Sequence, residues 1–265
     1  MSLSRPGDCG RICTSGAVRA RAAARARARR PTGHPAITDP AARAWAARED
    51  LLALHGILHT LPARWINHPA AAAAANHKAH QLVTAHACGL PVPDTLFTTS
   101  GTGVAAWAGG RRILYKAHHA QGADHDTMVT ATPADPAQLP HHLGAASCFQ
   151  PIIDGPSIRV TVIGHQQFAV RITGGPPGLV DWRPVQDRLH FTPIPVPSPV
   201  TAGLRRFMTR YGLEYGAFDF IQQHDGTWVF LGGQPFRYVR ICGDPIRPAH
   251  HRRDRLPAPH PHNIP

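Results

Sequence analysis

The stretch "YGAFDFIQQHDGTWVFLGGQP" (residues 215–235) combines a hairpin pattern with residues that could hold a metal ion. Two runs of β-branched and aromatic residues flank Asp225 and Gly226, a dipeptide typical of two-residue hairpin turns because both turn positions need positive φ. Counting outward from this turn pairs His224 with Thr227. The stretch therefore predicts two antiparallel strands joined by a tight turn.

The same count pairs Asp219 with Gly232, and the period of two along a strand puts Asp219, Gly232 and Gln234 on one face. Oxygen ligands on neighbouring strands could hold Mg²⁺, which prefers oxygen and usually binds together with substrate phosphates. On the hairpin alone, an ordinary structural hairpin with one buried or N-capping aspartate is the favoured alternative.

Lysine is rare in this chain, which makes its two positions informative. Of the 28 basic residues, only Lys78 and Lys116 are lysines. Lys78 lies on a predicted helix before a Gly-Leu-Pro turn, and Lys116 ends the strand-like run "RRILYKA". Each could place a compact cation against a phosphate. A solvated surface lysine is the alternative at both positions.

Arg159 interrupts an apolar strand pattern, "SIRVTVIG". Because side chains alternate along a strand, Arg159 faces away from Ile158 and Val160, towards a half-polar surface. There its guanidinium could hold a phosphate or carboxylate through two parallel hydrogen bonds. A cross-strand ion pair is the alternative.

The net charge of +12 comes from the two ends of the chain. Half of the basic residues lie in 1–30 and 237–265, and 31–236 has 14 basic against 13 acidic residues. Basic arms can bind nucleic acid. However, no aromatic residue interleaves with the N-terminal arginines, and no nucleic-acid motif follows them. A nucleic-acid-binding protein is the minor alternative. An affinity for DNA that is independent of sequence, falls steeply with salt concentration and is lost when residues 1–30 are deleted would support it.

The cysteines and the hydropathy predict a reduced cytoplasmic protein that does not contact a membrane. The five cysteines are odd in number and have no zinc-ribbon spacing. No apolar run is long enough to span a bilayer, and no apolar segment follows the basic N-terminus as in a secretory signal.

Hydrophobic periodicity and turn residues predict a mixture of helices and antiparallel strands. Helices are expected over 40–62, 69–87 and about 200–211. Strands are expected over 94–100, 111–118, 146–153 and 157–173, the last with a turn at Gly164, and in the final hairpin. Residues 119–142 are expected to form a loop, and the Pro-rich segment 174–199 to be irregular. The pattern indicates an α/β protein in the broad sense (α+β), not a doubly wound parallel sheet.

In chain order, these features resemble the ATP-grasp ligases, specifically the ribosomal-peptide maturases that install ω-ester or ω-amide crosslinks (the microviridin and graspetide ligases). The matching stretches cover roughly residues 29–235 and are "RRPT", "WINHP", "NHKAHQLVTAHACGLPVPDTLFT", "LYKA", "FQPII", "IRVTVIGHQQFAVRI", "DWR" and "GLEYGAFDFIQQHDGTWVFL". No single stretch is decisive, but their ordered set is specific.

The resemblance implies an ATP-grasp fold, in which two α+β lobes grip ATP between antiparallel sheets. It divides the chain into a basic low-complexity arm expected to be disordered (1–33), a remnant of a preceding region with a linker helix (34–75), the ATP-grasp domain (76–236) and a disordered Pro/His/Arg tail (237–265).

The resemblance also implies cofactors and a partner. ATP and Mg²⁺ are the expected cofactors, a precursor peptide is the expected substrate, and a homodimer stays open. Lys78 and Lys116 would contact ATP phosphates, with Lys116 also near the adenine. The hinge between the lobes would offer backbone groups to the adenine and consists of Gln150, Pro151, Ile152 and Ile153.

The remaining implied roles belong to the chemistry. Arg159 would stabilise the transferring phosphate and the acyl-phosphate intermediate, and Asp219 would act with it and bind Mg²⁺ together with Gln234. Asp181 and Arg183 would touch the peptide or order the site. The reaction would phosphorylate an Asp or Glu side chain of the peptide, after which a Ser, Thr or Lys side chain displaces phosphate.

Three departures from the family pattern bear on activity. Gly232 and Gln234 stand where the family has Glu and Asn, so a carboxylate that normally bridges metal ions is missing. Pro151 stands where the hinge usually has an acidic residue. Both ends also lack segments that the resemblance leads us to expect. Base composition or an upstream frame error is our hypothesis for the Ala/Arg-rich arm, which resequencing would test. A degenerate relative that only binds nucleotide or peptide is therefore the main alternative.

Overall fold

A computed structural model describes residues 34–61, 65–118 and 129–235. The predicted basic arm and Pro/His/Arg tail lie outside these residues, as does most of the first half of the predicted loop 119–142. The chain divides into two units, Met1–Ala70 and Ala71–Pro265.

The first unit contains helix α1 (Pro40–Thr60), which confirms the predicted helix. Asp39 caps its start, since its carboxylate accepts a hydrogen bond from the Ala42 N–H at 2.6 Å, and Pro40 needs no N–H partner at the first helical position. No side chain of α1 is buried, and Trp45 is 59% exposed. Within the described residues, α1 therefore has no packed apolar surface.

The second unit contains most of the remaining elements. The helices are α2 (Pro69–Ala74), which crosses the boundary between the units, α3 (Lys78–Ala87), α4 (Gly101–Ala108) and α5 (Ser198–Tyr211), with 3₁₀ helices at Pro136–Gln138 and Arg183–Arg188. The strands are β1 (Leu96–Ser100), β2 (Ile113–Lys116), β3 (Thr132–Ala134), β4 (His142–Pro151), β5 (Ser157–Ile163), β6 (Gln166–Thr173), β7 (His190–Ile194), β8 (Tyr215–Gln222) and β9 (Trp228–Gln234).

The smaller sheet has the strand order β1-β4-β2-β3, and all its pairings are antiparallel. Helix α4 covers it. Ser100 caps this helix by accepting the Gly103 N–H at 3.1 Å. Val104 of α4 packs with Ile113 and Phe149 of the sheet, and all three are almost completely buried. This layer of one helix on one sheet forms the first lobe.

The larger sheet has the strand order β7-β6-β5-β8-β9 and is also antiparallel throughout. One face packs against α3 and α5, where Leu204, Phe207, Phe218 and Phe230 form the centre of the main core. Since β5 residues alternate, the opposite face carries Arg159. The two antiparallel sheets confirm the predicted α+β class.

The final hairpin has the predicted central pairing but a different turn. Asp219 lies opposite Gly232, as predicted. The loop has three residues (224–226), since Gln223 donates its N–H to the Thr227 carbonyl and Gly226 has a φ of 86°. The predicted two-residue turn, with His224 paired to Thr227, is therefore wrong.

A β-bulge compensates for the extra loop residue. Phe220 pairs with Phe230 while Asp219 pairs with Gly232, so Leu231 has no partner and the register shifts by one. The extra loop residue shifts the register by one, and the bulge shifts it back. Asp219 therefore pairs with Gly232, as it would in a hairpin with a two-residue turn and no bulge.

Three other segment predictions need correction. The helix predicted over 69–87 is broken into α2 and α3 by a turn at residues 75–77. The predicted loop 119–142 contains β3 and a 3₁₀ helix, and the irregular segment 174–199 contains a 3₁₀ helix and β7. The short strands β3 and β7 have weak local patterns and form because β2 and β6 supply their hydrogen bonds.

Two helical glycines make a matched pair for testing the core. A Cβ at Gly203 in α5 would lie 2.8 Å from Cγ of the buried Leu90, whereas a Cβ at Gly56 in α1 would meet nothing within 4 Å. We expect Gly203→Ala to lower the free energy of unfolding by about 1–3 kcal/mol through overpacking. Gly56→Ala should raise helix stability by up to about 1 kcal/mol. Urea denaturation of both variants checks this, and a Gly203→Ala protein as stable as the wild type would contradict the packing described.

Candidate functional site

A cavity of about 670 Å³ lies between the two sheets of the second unit. Leu114 of β2 and Pro151 of β4 line it from the smaller sheet, and Ile172 of β6 and Ile221 of β8 line it from the larger sheet. These apolar walls suit a flat, apolar ring system.

A second cavity of about 390 Å³ adjoins the first. Its lining is rich in charged and amide side chains, namely Asn76, Lys78, Gln81, Lys116, Asp181, Arg183, Asp219 and Gln234. Lys116, Trp182 and Leu231 line both cavities. The two cavities are therefore parts of one cleft with an apolar half and a charged half.

The predicted hinge residues lie along the apolar half of the cleft. The Gln150 side chain is buried and donates to Thr95 Oγ1 at 3.0 Å, and Gln150 is one of the residues that line the cavity. The Ile152 N–H donates to the Arg112 carbonyl at 2.9 Å, and Pro151 has no N–H. Among the described residues, the N–H of Ile153 has no acceptor, which leaves it for a ligand.

Lys78 and Lys116 approach the charged half from different elements. Lys78 is the first residue of α3, and its Nζ lies 3.4 Å from the His118 carbonyl oxygen. Lys116 ends β2 opposite Cys148. Burial lowers the pKa of both ammonium groups, and that of Lys116 to about 8. Both lysines are thus brought to one cavity, and the cost of desolvating them favours an anionic ligand there.

Arg159 forms the cross-strand ion pair that the sequence left as an alternative. Its Nη1 lies 2.7 Å from Asp219 Oδ1, and its Nη2 lies 3.2 Å from Gln234 Oε1. The β5–β8 register places Arg159 directly opposite Asp219. Its Nε is buried and has no partner among the described residues. Arg159 therefore binds both side chains that were predicted to hold metal, and its buried Nε–H has no acceptor among the described residues.

Asp181 and Arg183 form a second ion pair at the charged half. Asp181 is buried and accepts hydrogen bonds from the Ala131 N–H at 3.0 Å and from Arg183 Nε at 2.8 Å. Burial raises the pKa of this carboxyl, but the hydrogen bonds and charge of Arg183 and the Ala131 N–H outweigh burial and lower it below its ordinary value. Asp181 thus stays ionised and fixes Arg183 in the cleft wall.

The oxygen ligands at the charged half suit one Mg²⁺ ion better than two. Asp219 offers a carboxylate and Gln234 an amide oxygen, while Gly232 offers no side chain. Mg²⁺ bound through one carboxylate, phosphates and water is common. In the described part of the chain, no group of three or more His, Cys, Asp or Glu side chains could hold a metal on its own. The residues therefore fit a single ion that binds with phosphate.

Gln81 is the residue of this site that sequence reasoning missed. It lies one helical turn after Lys78, on the same side of α3, and is 3% exposed. The spacing of three from Lys78 was the available signal, but a glutamine on a helix carries no chemistry of its own.

No described helix is long and apolar enough to cross a membrane.

Three solved structures have the same fold as this chain. The macrocyclase MdnC of Microcystis aeruginosa MRC, bound with precursor peptide MdnA, is 26% identical, with 78% of this chain and 67% of that chain covered and a TM-score of 0.67. A RiPP-associated ATP-grasp ligase of Chryseobacterium gregarium, in complex with ADP and a leader and core peptide, is 20% identical, with 76% and 64% covered and a TM-score of 0.66. The ATP-grasp ligase PsnB, complexed with a phosphomimetic variant of minimal precursor, Mg and ADP, is 23% identical, with 76% and 64% covered and a TM-score of 0.60.

These matches confirm the predicted ATP-grasp fold and the predicted structural resemblance to peptide-maturing ATP-grasp ligases. The chain spans about two thirds of the length of the structures it matches. No family model and no curated protein matches the sequence.

The lowered pKa of Lys116 predicts how stability depends on pH. Between about 8 and the ordinary value of 10.5, the unfolded chain binds a proton that the folded protein does not. The free energy of unfolding should therefore rise across this window. Across this window, we expect the free energy of unfolding of the wild type to rise by about 1–2 kcal/mol more than that of Lys116→Met. The rise is smaller than the full pKa shift implies because Lys116 is partly exposed. Urea denaturation of both proteins at each end of the window measures the difference, and equal pH dependence would contradict the burial of this ammonium group.

Proposed function

We propose that this chain is an ATP-dependent ligase that activates a carboxyl side chain of a ribosomally made precursor peptide and forms an ω-ester or ω-amide crosslink. The observation that carries the proposal is the single cleft whose apolar half continues into a half with two lysines, Arg183 and Asp219. The structural match to ligases crystallised with precursor peptides and ADP supports the same conclusion.

ATP fits the cleft with its adenine in the apolar half and its phosphates in the charged half. The Ile153 N–H is free to donate to a ring nitrogen of the adenine. Lys116 lines both halves and would contact the phosphates next to the adenine, and Lys78 would bind the outer phosphates. Asp219 and Gln234 would hold Mg²⁺. When bound, this ion would neutralise part of the negative charge of the phosphates.

The reaction would proceed in two steps. In the first, a carboxylate oxygen of the peptide bonds to the γ-phosphorus as the bond from that phosphorus to the β–γ bridging oxygen breaks, which gives an acyl phosphate and ADP. In the second, a Ser or Thr hydroxyl or a Lys amine attacks the acyl carbon, loses its proton, and releases phosphate. Arg159, which is largely buried and binds Asp219 at 2.7 Å, would stabilise the anionic oxygens of both steps through its charge.

Asp181 and Arg183 suit recognition of the acidic peptide. Arg183 uses Nε and Nη2 to bind Asp181. Among the described residues, its Nη1 has no acceptor and can bind a carboxylate of the substrate. Because Asp181 is buried and ionised, it holds this guanidinium in place through Nε and Nη2. It leaves Nη1 unused.

A relative that binds nucleotide or peptide without catalysis is the second candidate, and Gly232 is the observation that favours it. A missing carboxylate lowers the negative charge that attracts Mg²⁺. Arg159 Nη1 also donates a hydrogen bond to Asp219 Oδ1 at 2.7 Å, so this carboxylate is already paired with a cation. Nucleotide binding is common to both candidates, whereas ATP turnover separates them.

We expect calorimetry to detect Mg²⁺-dependent binding of ATP by the wild type, and Lys116→Ala to weaken it. Loss of a charge-assisted hydrogen bond worth about 1.5–3 kcal/mol raises the Kd by about 10- to 100-fold. Arg205→Ala, which removes an exposed cation of α5, is the control and should leave the Kd unchanged. A folded wild type that binds no ATP would overturn the proposed function.

Position 232 allows a test of the missing carboxylate. Gly232 has a φ of 155°, which is strained for other residues, but a Cβ there would lie 3.5 Å from Gln81 Oε1 in ordinary contact. Gly232→Glu and Gly232→Ala share the backbone strain, and only the first adds a carboxylate opposite Asp219. We expect Gly232→Glu to raise Mg²⁺-dependent ATP turnover about tenfold above Gly232→Ala, equivalent to about 1.4 kcal/mol, and above the wild type. Equal turnover in two folded variants would contradict the account of the metal site.

A further inference from the structure

The metal-side end of β9 is held by its pairing with β8 and by the hydrogen bond from Arg159 to Gln234, but no strand pairs with its outer edge. Strand β9 lies at the edge of the larger sheet, so β8 pairs with only one of its sides. The bulge leaves Leu231 without a partner, and Gly232 and Gly233 have no side chains to pack. Gly233 cannot be larger, because a Cβ there would lie 2.7 Å from the Phe218 ring. Glycines and a bulge at an unpaired edge make a pliable backbone.

The Gln81 side chain binds the open edge of β9 at this point. Its Oε1 accepts the Gly233 N–H at 2.9 Å, and its Nε2 donates to the Gly233 carbonyl at 2.9 Å. One side-chain amide thus offers Gly233 a donor and an acceptor, as a neighbouring strand would. A further hydrogen bond from Nε2 to the Ala75 carbonyl fixes the amide and leaves no alternative orientation.

We propose that Gln81 is a positioning residue, which holds the Gly232–Gln234 end of β9 in the geometry needed to bind Mg²⁺ with nucleotide. Gly233 lies between the backbone opposite Asp219 and the predicted ligand Gln234. Gln81 also belongs to the same helix as Lys78, so one rigid element fixes both a phosphate-binding cation and the metal-side strand. This inference rests on the proposed nucleotide function and adds a residue that acts through the backbone of β9.

The test compares the affinity for ADP in EDTA with the affinity in saturating Mg²⁺. Gln81→Leu removes all three hydrogen bonds at similar volume. We expect its Kd for ADP in EDTA to stay within about twofold of the wild type, while the tightening caused by Mg²⁺ falls about tenfold, the effect of about 1.4 kcal/mol. If Gln81→Leu does not fold, Gln81→Asn carries the same test, because its amide is one methylene shorter.

Gln167→Leu is the matched control. Gln167 is a partly buried glutamine of β6 in the same sheet, and its Nε2 donates at 3.1 Å to the Thr201 carbonyl of α5, far from β9 in strand order. Its Mg²⁺-dependent tightening should equal that of the wild type.

The possible failures differ from one another. A lower melting temperature in Gln81→Leu with unchanged Mg²⁺-dependent tightening would show a purely structural role and overturn the inference. ADP binding that weakens equally with and without Mg²⁺ would do the same. A wild type that binds no ADP in either condition would overturn the nucleotide function and this inference with it.

Discussion

The pairing of Arg159 with Asp219 across β5 and β8 organises the charged half of the cleft. The two side chains come from directly opposed positions of the central strands, and their nearest atoms are 2.7 Å apart. Arg159 is largely buried, so its charge requires a partner, and removing one member of such a pair is costly. The same guanidinium binds Gln234 of β9. Three strands are thereby joined at the point where phosphate and metal would bind.

The remaining features of the cleft follow from this constraint. Because Arg159 already binds Asp219 and Gln234, these two side chains are not free to bind a metal ion by themselves. Mg²⁺ would therefore bind together with phosphates, which can bind the arginine in place of Asp219 and Gln234. The two lysines reach the same cavity with pKa values lowered by burial, which an anionic ligand would reverse. Under the proposed function, the charged half would therefore bind the anionic phosphates first, and its affinity for Mg²⁺ would depend on them.

Local sequence patterns predicted much of the fold. The alternation in β5 predicted correctly that Arg159 faces away from Ile158 and Val160, which lie in the core, and Gly164 marked a turn as observed. The predictions failed where local patterns are short. β3 and β7 are strands of three and five residues, stabilised by pairing with β2 and β6. A single sequence carries little signal for such elements, because their hydrogen-bond partners lie elsewhere in the chain.

The sequence by itself determined the chemistry that is present: two lysines, a strand arginine, and an aspartate opposite a glycine on one hairpin. The tertiary structure alone decided which of these groups meet. Arg159 and Asp219 are 60 residues apart, and Gln81 and Gly233 are 152 apart. Side-chain alternation fixes the face on which a residue lies, because it depends only on the local backbone. The identity of the partner depends on strand order and helix packing, which no local pattern contains.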